Sequence, residues 1–264
     1  MYDKDKVLKK ITHDTLYDGR IILEQPQKGY RFSVDSPLLT WFACEGREAS
    51  SAVDLGAGCG VVGLGLLAAE QARRVVAVEV QPALASLAVR NAELNGFSRR
   101  YQVSVSDVRN VQDGFGQGDF DLVISNPPFW PRSSGRLPSD EERRVACHAV
   151  LGNLRDWIEA ASYLLNSRHG RLCVVYPARR MDELLMCLDG SRLSATRIVL
   201  VHPLPNKPAE LVLVEARTGG PGRVTVAPQV TLKNTDGTDT KEAESILRGA
   251  FSAELEKRPD KREN

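Results

Sequence analysis

The sequence predicts an α/β fold: a doubly wound sheet of seven strands, mostly parallel with an antiparallel last strand, carrying a small N-terminal strand-and-helix extension. Three observations point there. Short β-branched runs alternate with helix-length apolar segments from residue 51 onward, the pattern of strands covered on both faces. A glycine-rich turn stands between the first of these strands and its helix. The final two strands are joined by only a short loop, so they pair antiparallel, as a hairpin at one sheet edge.

Residues 1–50 are expected to hold a hairpin, Gly19–Leu23 with Tyr30–Val34, and a helix from Ser36 to about Cys44. Ser51–Leu55 is the first core strand, Val61–Glu70 its helix, and Arg74–Glu79 the next strand. Pro82 suits a first helical turn, where its missing N–H would have no partner in any case; Gly96 supplies the stop after Asn95. Tyr101–Val105, Phe120–Ile124 and Arg171–Tyr176 follow as strands, with a polar loop and a helix from about Asn153 to Leu165 between the last two. A further helix runs from beyond Pro177 to about Leu188, ahead of strands Ala195–Val201 and Leu211–Ala216. Residues 51–218 thus make the core domain and 219–250 a C-terminal loop with a short helix. Residues 251–264 form a polar tail expected to be disordered.

At 264 residues and 42% hydrophobic, the chain is large enough for a real core, which excludes wholesale disorder. Its longest apolar stretch, Val61–Ala69, is broken by Gly63 and Gly65 and is too short for a bilayer. The start, Met1-Tyr-Asp-Lys-Asp-Lys, has no apolar segment of the kind a secretory signal needs. Cys44, Cys59, Cys147, Cys173 and Cys187 form no C-x-x-C pair, and His13, His148, His169 and His202 show no ligand spacing. Reduced thiols, a cytoplasmic location and no metal are expected. With 35 basic residues against 34 acidic ones the net charge is +1, which leaves no excess for coating a nucleic-acid duplex. A single flipped or unpaired base needs only a local basic rim. Arg31, Arg132, Arg136, Arg143, Arg144, Lys207, Arg217 and Arg223 are candidates for it.

The stretch Asp54-Leu-Gly-Ala-Gly-Cys-Gly60 ends a strand and opens a helix. Gly56, Gly58 and Gly60 permit a tight turn and let a ligand approach the backbone, near free N–H groups at the helix start. Gly58 to Gly63 also reads as G-x-G-x-x-G, with the acid Glu79 about 20 residues on, so the motif alone suits NAD(P) or S-adenosylmethionine (SAM). Two details favour SAM. Asp54 places an acid before the glycines, where an amino-bearing ligand is welcome, and the D-x-G-x-G pattern resembles that of class I, Rossmann-like methyltransferases. Glu79, followed by Val80, is then expected to accept hydrogen bonds from ribose hydroxyls, and Asp107 with Val108 to meet the adenine amino group.

Ile124-Ser-Asn-Pro-Pro-Phe129 follows the fourth strand, at the carboxyl end of the sheet where open α/β sheets bind ligands. Pro127 and Pro128 fix the backbone and remove two donors, which leaves carbonyls as acceptors beside the Asn126 side-chain oxygen. Such an acceptor pair suits a planar NH2 group, and Phe129 would stack on the ring that bears it. The chemistry needs this. An exocyclic adenine amine is a poor nucleophile because its lone pair is delocalised. Accepting both hydrogens pushes the nitrogen towards sp3 and aims the lone pair at a sulfonium methyl.

Asn-Pro-Pro-Phe resembles the (N/D)-P-P-(Y/F/W) motif of amino-methyltransferases. Tyr30-Arg-Phe-Ser-Val-Asp-Ser-Pro-Leu-Leu39, Arg143-Arg-Val-Ala-Cys-His148 and Ala209–Arg217 are similar to segments of the bacterial tRNA(Val) adenine-N6 methyltransferase family, of the small-domain methyltransferase group. The likeness spans most of residues 12–250. It implies SAM as cofactor and the N6 amine of adenine in structured RNA, above all tRNA, as acceptor. It further implies catalysis by Asn126, Pro127, Pro128 and Phe129, Asp35 near the cofactor's amino-acid end, and Arg143 and His148 at the substrate backbone. Phe129 stands where Tyr is commoner, which bears on the substrate. Protein glutamine N5 and DNA adenine N6 are the alternative acceptors for the same motif.

Overall fold

The computed structural model describes residues 11–28, 31–128, 152–220 and 223–251. β1 (Ile11–Leu16) and β2 (Ile21–Pro26) form an antiparallel hairpin in the register Ile11↔Pro26 to Leu16↔Ile21. This corrects the expected pairing of Gly19–Leu23 with Tyr30–Val34. The chain reverses earlier, at Tyr17-Asp-Gly-Arg20, where Tyr17, Asp18 and Gly19 take φ of 56°, 54° and 82°. The Asp-Gly pair is the local signal for that reversal, and residues 31–33 are not strand. α1 (Asp35–Cys44) begins one residue before the expected Ser36.

Seven strands make the body of the main sheet: β3 (Ala49–Leu55), β4 (Ala72–Val78), β5 (Tyr101–Ser104), β6 (Leu122–Ser125), β7 (Arg171–Pro177), β8 (Leu193–His202) and β9 (Leu211–Thr218). Their order is β8-β9-β7-β6-β3-β4-β5, and β9 alone runs against both its neighbours. The expected antiparallel hairpin is therefore present, with its last strand inserted between β7 and β8. β10 (Thr225–Val226) and β11 (Val230–Thr231), from the stretch read as loop, pair parallel with β8 and bring the sheet to nine strands.

Period-two alternation sorts the core. In β3, Ala52 packs into one hydrophobic cluster while Val53 and Leu55 pack into the other. Leu122 and Ile124 of β6 go one way and Val123 the other. The first face is covered by α1, α2 (Val61–Ala68) and α3 (Pro82–Leu94), through residues such as Phe42, Leu64 and Leu87. α4 (Leu154–Leu164) and α5 (Met181–Asp189) cover the second, through Trp157, Leu164 and Leu184. α4 starts on a capping box: Asn153 Oδ1 accepts from Asp156 N at 3.2 Å, and Asp156 Oδ2 accepts from Asn153 N at 2.7 Å. After β11 comes α6 (Lys241–Leu247), and Phe251 then packs edge-on against Tyr17, so that end of the chain is core rather than tail. Residues 252–264 of the expected tail lie outside the described residues.

Strand order reverses at β3, which has β4 on one side and β6 on the other. Connections leave those strands in opposite directions, so a crevice opens at their carboxyl ends.

Candidate functional site

That crevice encloses roughly 580 Å³, its open mouth included, and is lined by Gly56, Gly58, Glu79, Val80, Asp107, Val108, Asn126 and Pro128. Val78, Gln81, Leu84, Ser106 and Trp157 complete the wall. Eight of the expected site residues thus come together in one place, from the ends of four consecutive parallel strands.

The glycine loop hangs from β4, with Gly56 N and Ala57 N both donating to the Val78 carbonyl at 2.8 and 3.1 Å. Gly56, Gly58 and Gly60 adopt φ of 72°, 57° and 92°, the left-handed region that side chains disfavour. Gly58 N donates to Glu79 Oε2 at 2.9 Å, and Gln81 N donates to Glu79 Oε1 at 2.8 Å. Glu79 is buried; burial raises its pKa while these amides restrain the rise. Each carboxylate oxygen retains a further lone pair, so the group can still accept from a pair of neighbouring hydroxyls.

Asp54 and Gly60 lie behind the loop instead of on the cleft wall. Asp54 is 2% exposed, and its Oδ2 accepts from Gly63 N at 3.0 Å, which caps α2 from inside. Burial pushes its carboxyl up to about 7. A Cβ on Gly60 would stand 2.6 Å from Tyr101 Oη, so glycine is required there by packing as well as by φ. Asp107 caps the turn that follows it, accepting from Arg109 N at 2.9 Å and from Arg109 Nε at 2.9 Å. The Arg109 guanidinium holds its carboxyl below the usual range, so any ligand amine would share that acceptor with Arg109.

Asn126 follows β6 at the cleft, and its side chain lies beside the carboxyl of Asp35, the first residue of α1. Burial raises the Asp35 pKa, and the polar groups of Ser33, its own backbone and Asn126 oppose that. Ser125 Oγ donates to the Leu55 carbonyl at 3.1 Å, tying together the two strand ends that flank the crevice. Pro127 is buried, and Pro128 reaches the cleft. Phe129, Arg143 and His148, with Arg132, Arg136 and Arg144, lie outside the described residues. Arg217 is at the opposite end of the sheet, since it pairs in register with Arg171 at the start of β7, and it binds Glu215 at 2.8 Å. Arg31 binds Asp14 at 3.1 Å.

Trp157 is one of five wall residues that the sequence did not point to, with Val78, Gln81, Leu84 and Ser106. It sits on the apolar stripe of α4 and reads as core; yet a Cβ on Gly56 would lie 2.5 Å from its Cη2. For Gln81 and Leu84 the available signal is position, because they follow Glu79 into α3. Together, Val80, Leu84, Val108 and Trp157 present apolar surface beside the Glu79 carboxylate. That combination fits a ribonucleoside: a planar ring between apolar walls and a diol on the acid. Among the described residues no group of three or more His, Cys, Asp or Glu is placed to hold a metal ion, and no helix is long and apolar enough to cross a membrane.

Residues 37–138 match the family model of the methyltransferase small domain. The tRNA1(Val) (adenine(37)-N6)-methyltransferase of Porphyromonas gingivalis is 32% identical over 203 residues, covering 75% of this chain and 78% of the relative. The protein of the same name from Trichodesmium erythraeum is 29% identical over 197 residues, covering 73% of this chain and 80% of its own length. Among solved structures, that of a predicted O-methyltransferase from Agrobacterium tumefaciens superposes with a TM-score of 0.65 at 28% identity, over 81% of this chain and 96% of that one. The match to the Porphyromonas protein is close enough, over enough of both chains, to place the sequence: it belongs to the tRNA1(Val) (adenine(37)-N6)-methyltransferase family.

Proposed function

We propose that this chain transfers a methyl group from SAM to the N6 amine of an adenine in tRNA. The observation that carries the reading is that Glu79 and Asn126, a diol acceptor and an amine acceptor, line one cleft at the carboxyl ends of β4 and β6, the two strands that flank β3. Bound there, SAM supplies an electrophilic sulfonium methyl. Glu79 would hold the ribose, Leu84 and Val108 the faces of the adenine, and Asp107 its amino group. The glycine loop would lie along the remainder of the cofactor. NAD(P) would suit the glycines equally, but it gives Asn126 and its prolines nothing to do.

Asn126 acts on the acceptor. Its side-chain oxygen and a neighbouring proline-segment carbonyl take the two N6 hydrogens, which localises the nitrogen lone pair and aims it. The site contributes position and electrostatics; as the N–CH3 bond forms the S–CH3 bond would break, leaving neutral S-adenosylhomocysteine, and the proton of the methylated amine would pass to solvent. Phe129 stacks on the acceptor base. A tRNA substrate would be met in the cytoplasm. The test is to incubate the protein with methyl-labelled SAM and separate pools of tRNA, ribosomal RNA, DNA and release factor. N6-methyladenosine in the tRNA pool supports the reading, and label confined to protein or DNA overturns it. Asn126→Ala should abolish turnover while cofactor binding survives.

A further inference from the structure

The methyl-transfer chemistry makes no use of Asn91, a polar side chain on α3 that is completely buried. Its amide is fully engaged. Oδ1 accepts from Glu24 N at 2.7 Å, while Nδ2 donates to Glu24 O at 2.9 Å and to Cys59 O at 2.8 Å. One helical turn later Asn95 repeats the grip on Ile22, accepting from its N–H at 2.9 Å and donating to its carbonyl at 2.7 Å. The remaining Asn95 contact goes back to the Asn91 carbonyl at 2.7 Å, not to the glycine loop.

The spacing explains the match. Four residues of helix rise about 6 Å and two residues of strand about 7 Å, so side chains at i and i+4 meet alternate residues of a strand. Two asparagines thereby act as a surrogate strand for the edge of β2 and dock the hairpin on α3. Only one of them also reaches the cofactor loop. Cys59 lies between Gly58, whose N–H is on Glu79, and Gly60, whose left-handed φ of 92° starts α2. Holding the Cys59 carbonyl therefore fixes the Cys59–Gly60 peptide plane, one peptide removed from the Ala57–Gly58 plane whose N–H orients Glu79.

We propose that Asn91 is a positioning residue that couples docking of the N-terminal hairpin to the shape of the glycine loop, and so to cofactor affinity. The inference rests on the reading of the cleft as a SAM site. Without the Asn91 amide a buried carbonyl loses its donor, and the loop gains conformations in which Gly58 N–H leaves Glu79.

The experiment compares Asn91→Ala with Asn95→Ala, which loosens the same hairpin without touching the loop. The probes are calorimetric titration with S-adenosylhomocysteine and, without ligand, hydrogen exchange of the loop amides. Asn91→Ala is expected to weaken binding about fivefold or more. It should also speed exchange at residues 57–61, and raise KM for SAM with kcat kept within about twofold. Asn95→Ala should speed exchange in β2 alone and leave affinity within about twofold. Asn91→Asp, which keeps the acceptor for Glu24 N–H but loses both donors, gives the same reading if the alanine variant does not fold. Unchanged affinity in a folded Asn91 variant overturns the inference, and so does an equal loss in Asn95→Ala. A wild-type chain that binds no S-adenosylhomocysteine removes the reading of the cleft and this inference with it.

Discussion

The side chain of Asn126, just past the end of β6, lies beside the carboxyl of Asp35, at the start of α1, and counters the rise that burial imposes on that carboxyl's pKa. A carboxylate accepts and never donates, so beside it an amide is favoured with Nδ2 towards the acid and Oδ1 away. The N-terminal segment thereby sets the orientation of the proposed amine acceptor. Asp35, expected near the cofactor's amino-acid end, thus also stands beside Asn126.

Asp35→Ala is accordingly expected to lower kcat about tenfold or more, because the Asn126 amide is then free to flip, while S-adenosylhomocysteine affinity changes little. Asp35→Asn, which also offers Asn126 an oxygen, should recover part of the rate. Single-turnover methylation together with calorimetry checks both. Equal losses in rate and affinity would return Asp35 to the cofactor.

Asp54 predicts a pH effect on stability. Burial pushes its carboxyl up to about 7 from an ordinary value of 3.8, so the folded chain keeps this proton after the unfolded chain has lost it. The stabilisation is complete below about pH 4 and is lost as pH rises through about 7, with a slope of up to ~1.4 kcal/mol per unit. Asp54→Asn stays neutral and can still accept from Gly63 N. Urea titrations should show wild type losing roughly 2–4 kcal/mol relative to the variant between pH 4.5 and 7.5. Parallel stability curves would mean that Asp54 is charged throughout.

Much of the site was legible because its residues are fixed by local rules. The glycines need left-handed φ, Glu79 ends a β-branched strand, and two prolines after Asn126 have few other uses. The hairpin partner and Trp157 were illegible for a physical reason: each depends on contacts distant in sequence. Ile11–Leu16 has too many polar residues to announce a strand, and it is held through β2 by asparagines near residues 91 and 95. Trp157 fills an apolar position of α4, and only the missing Cβ of Gly56 turns that position towards the cleft. Asp54 was read as a ligand group because spacing cannot tell an acid facing the cleft from one capping the helix behind it.

Contact between Trp157 and Gly56 offers a direct readout. S-adenosylhomocysteine should quench tryptophan fluorescence, and Trp157→Phe should abolish the quench while calorimetry still detects binding. Gly56→Ala should destabilise by about 2 kcal/mol, since a left-handed residue costs ~1–2 kcal/mol with a Cβ and the new methyl would also meet the ring. Affinity should fall with it. An unaltered quench in Trp157→Phe would assign the signal to Trp41 or Trp130.

The overall charge of +1 makes RNA binding depend on which cations share the end of the sheet with Asn126. Ser125 is in register with Val174, and Pro177 with Leu211, so the carboxyl end of β7 and the β8–β9 loop stand at that end. Ala178 N donates to the Glu210 carbonyl at 2.9 Å and holds the two segments together. They carry Arg179 and Lys207, both exposed, while Arg180 is paired with Glu183 at 2.7 Å. Replacing Arg179 and Lys207 with alanine should weaken tRNA binding without changing S-adenosylhomocysteine affinity. If both contact phosphates of unpaired nucleotides, the slope of log affinity against log salt should shrink by about 0.7 for each. Filter binding over a potassium chloride series reads this out. An unchanged slope would move the RNA footprint off this rim, and loss of release-factor methylation instead would make the acceptor a protein.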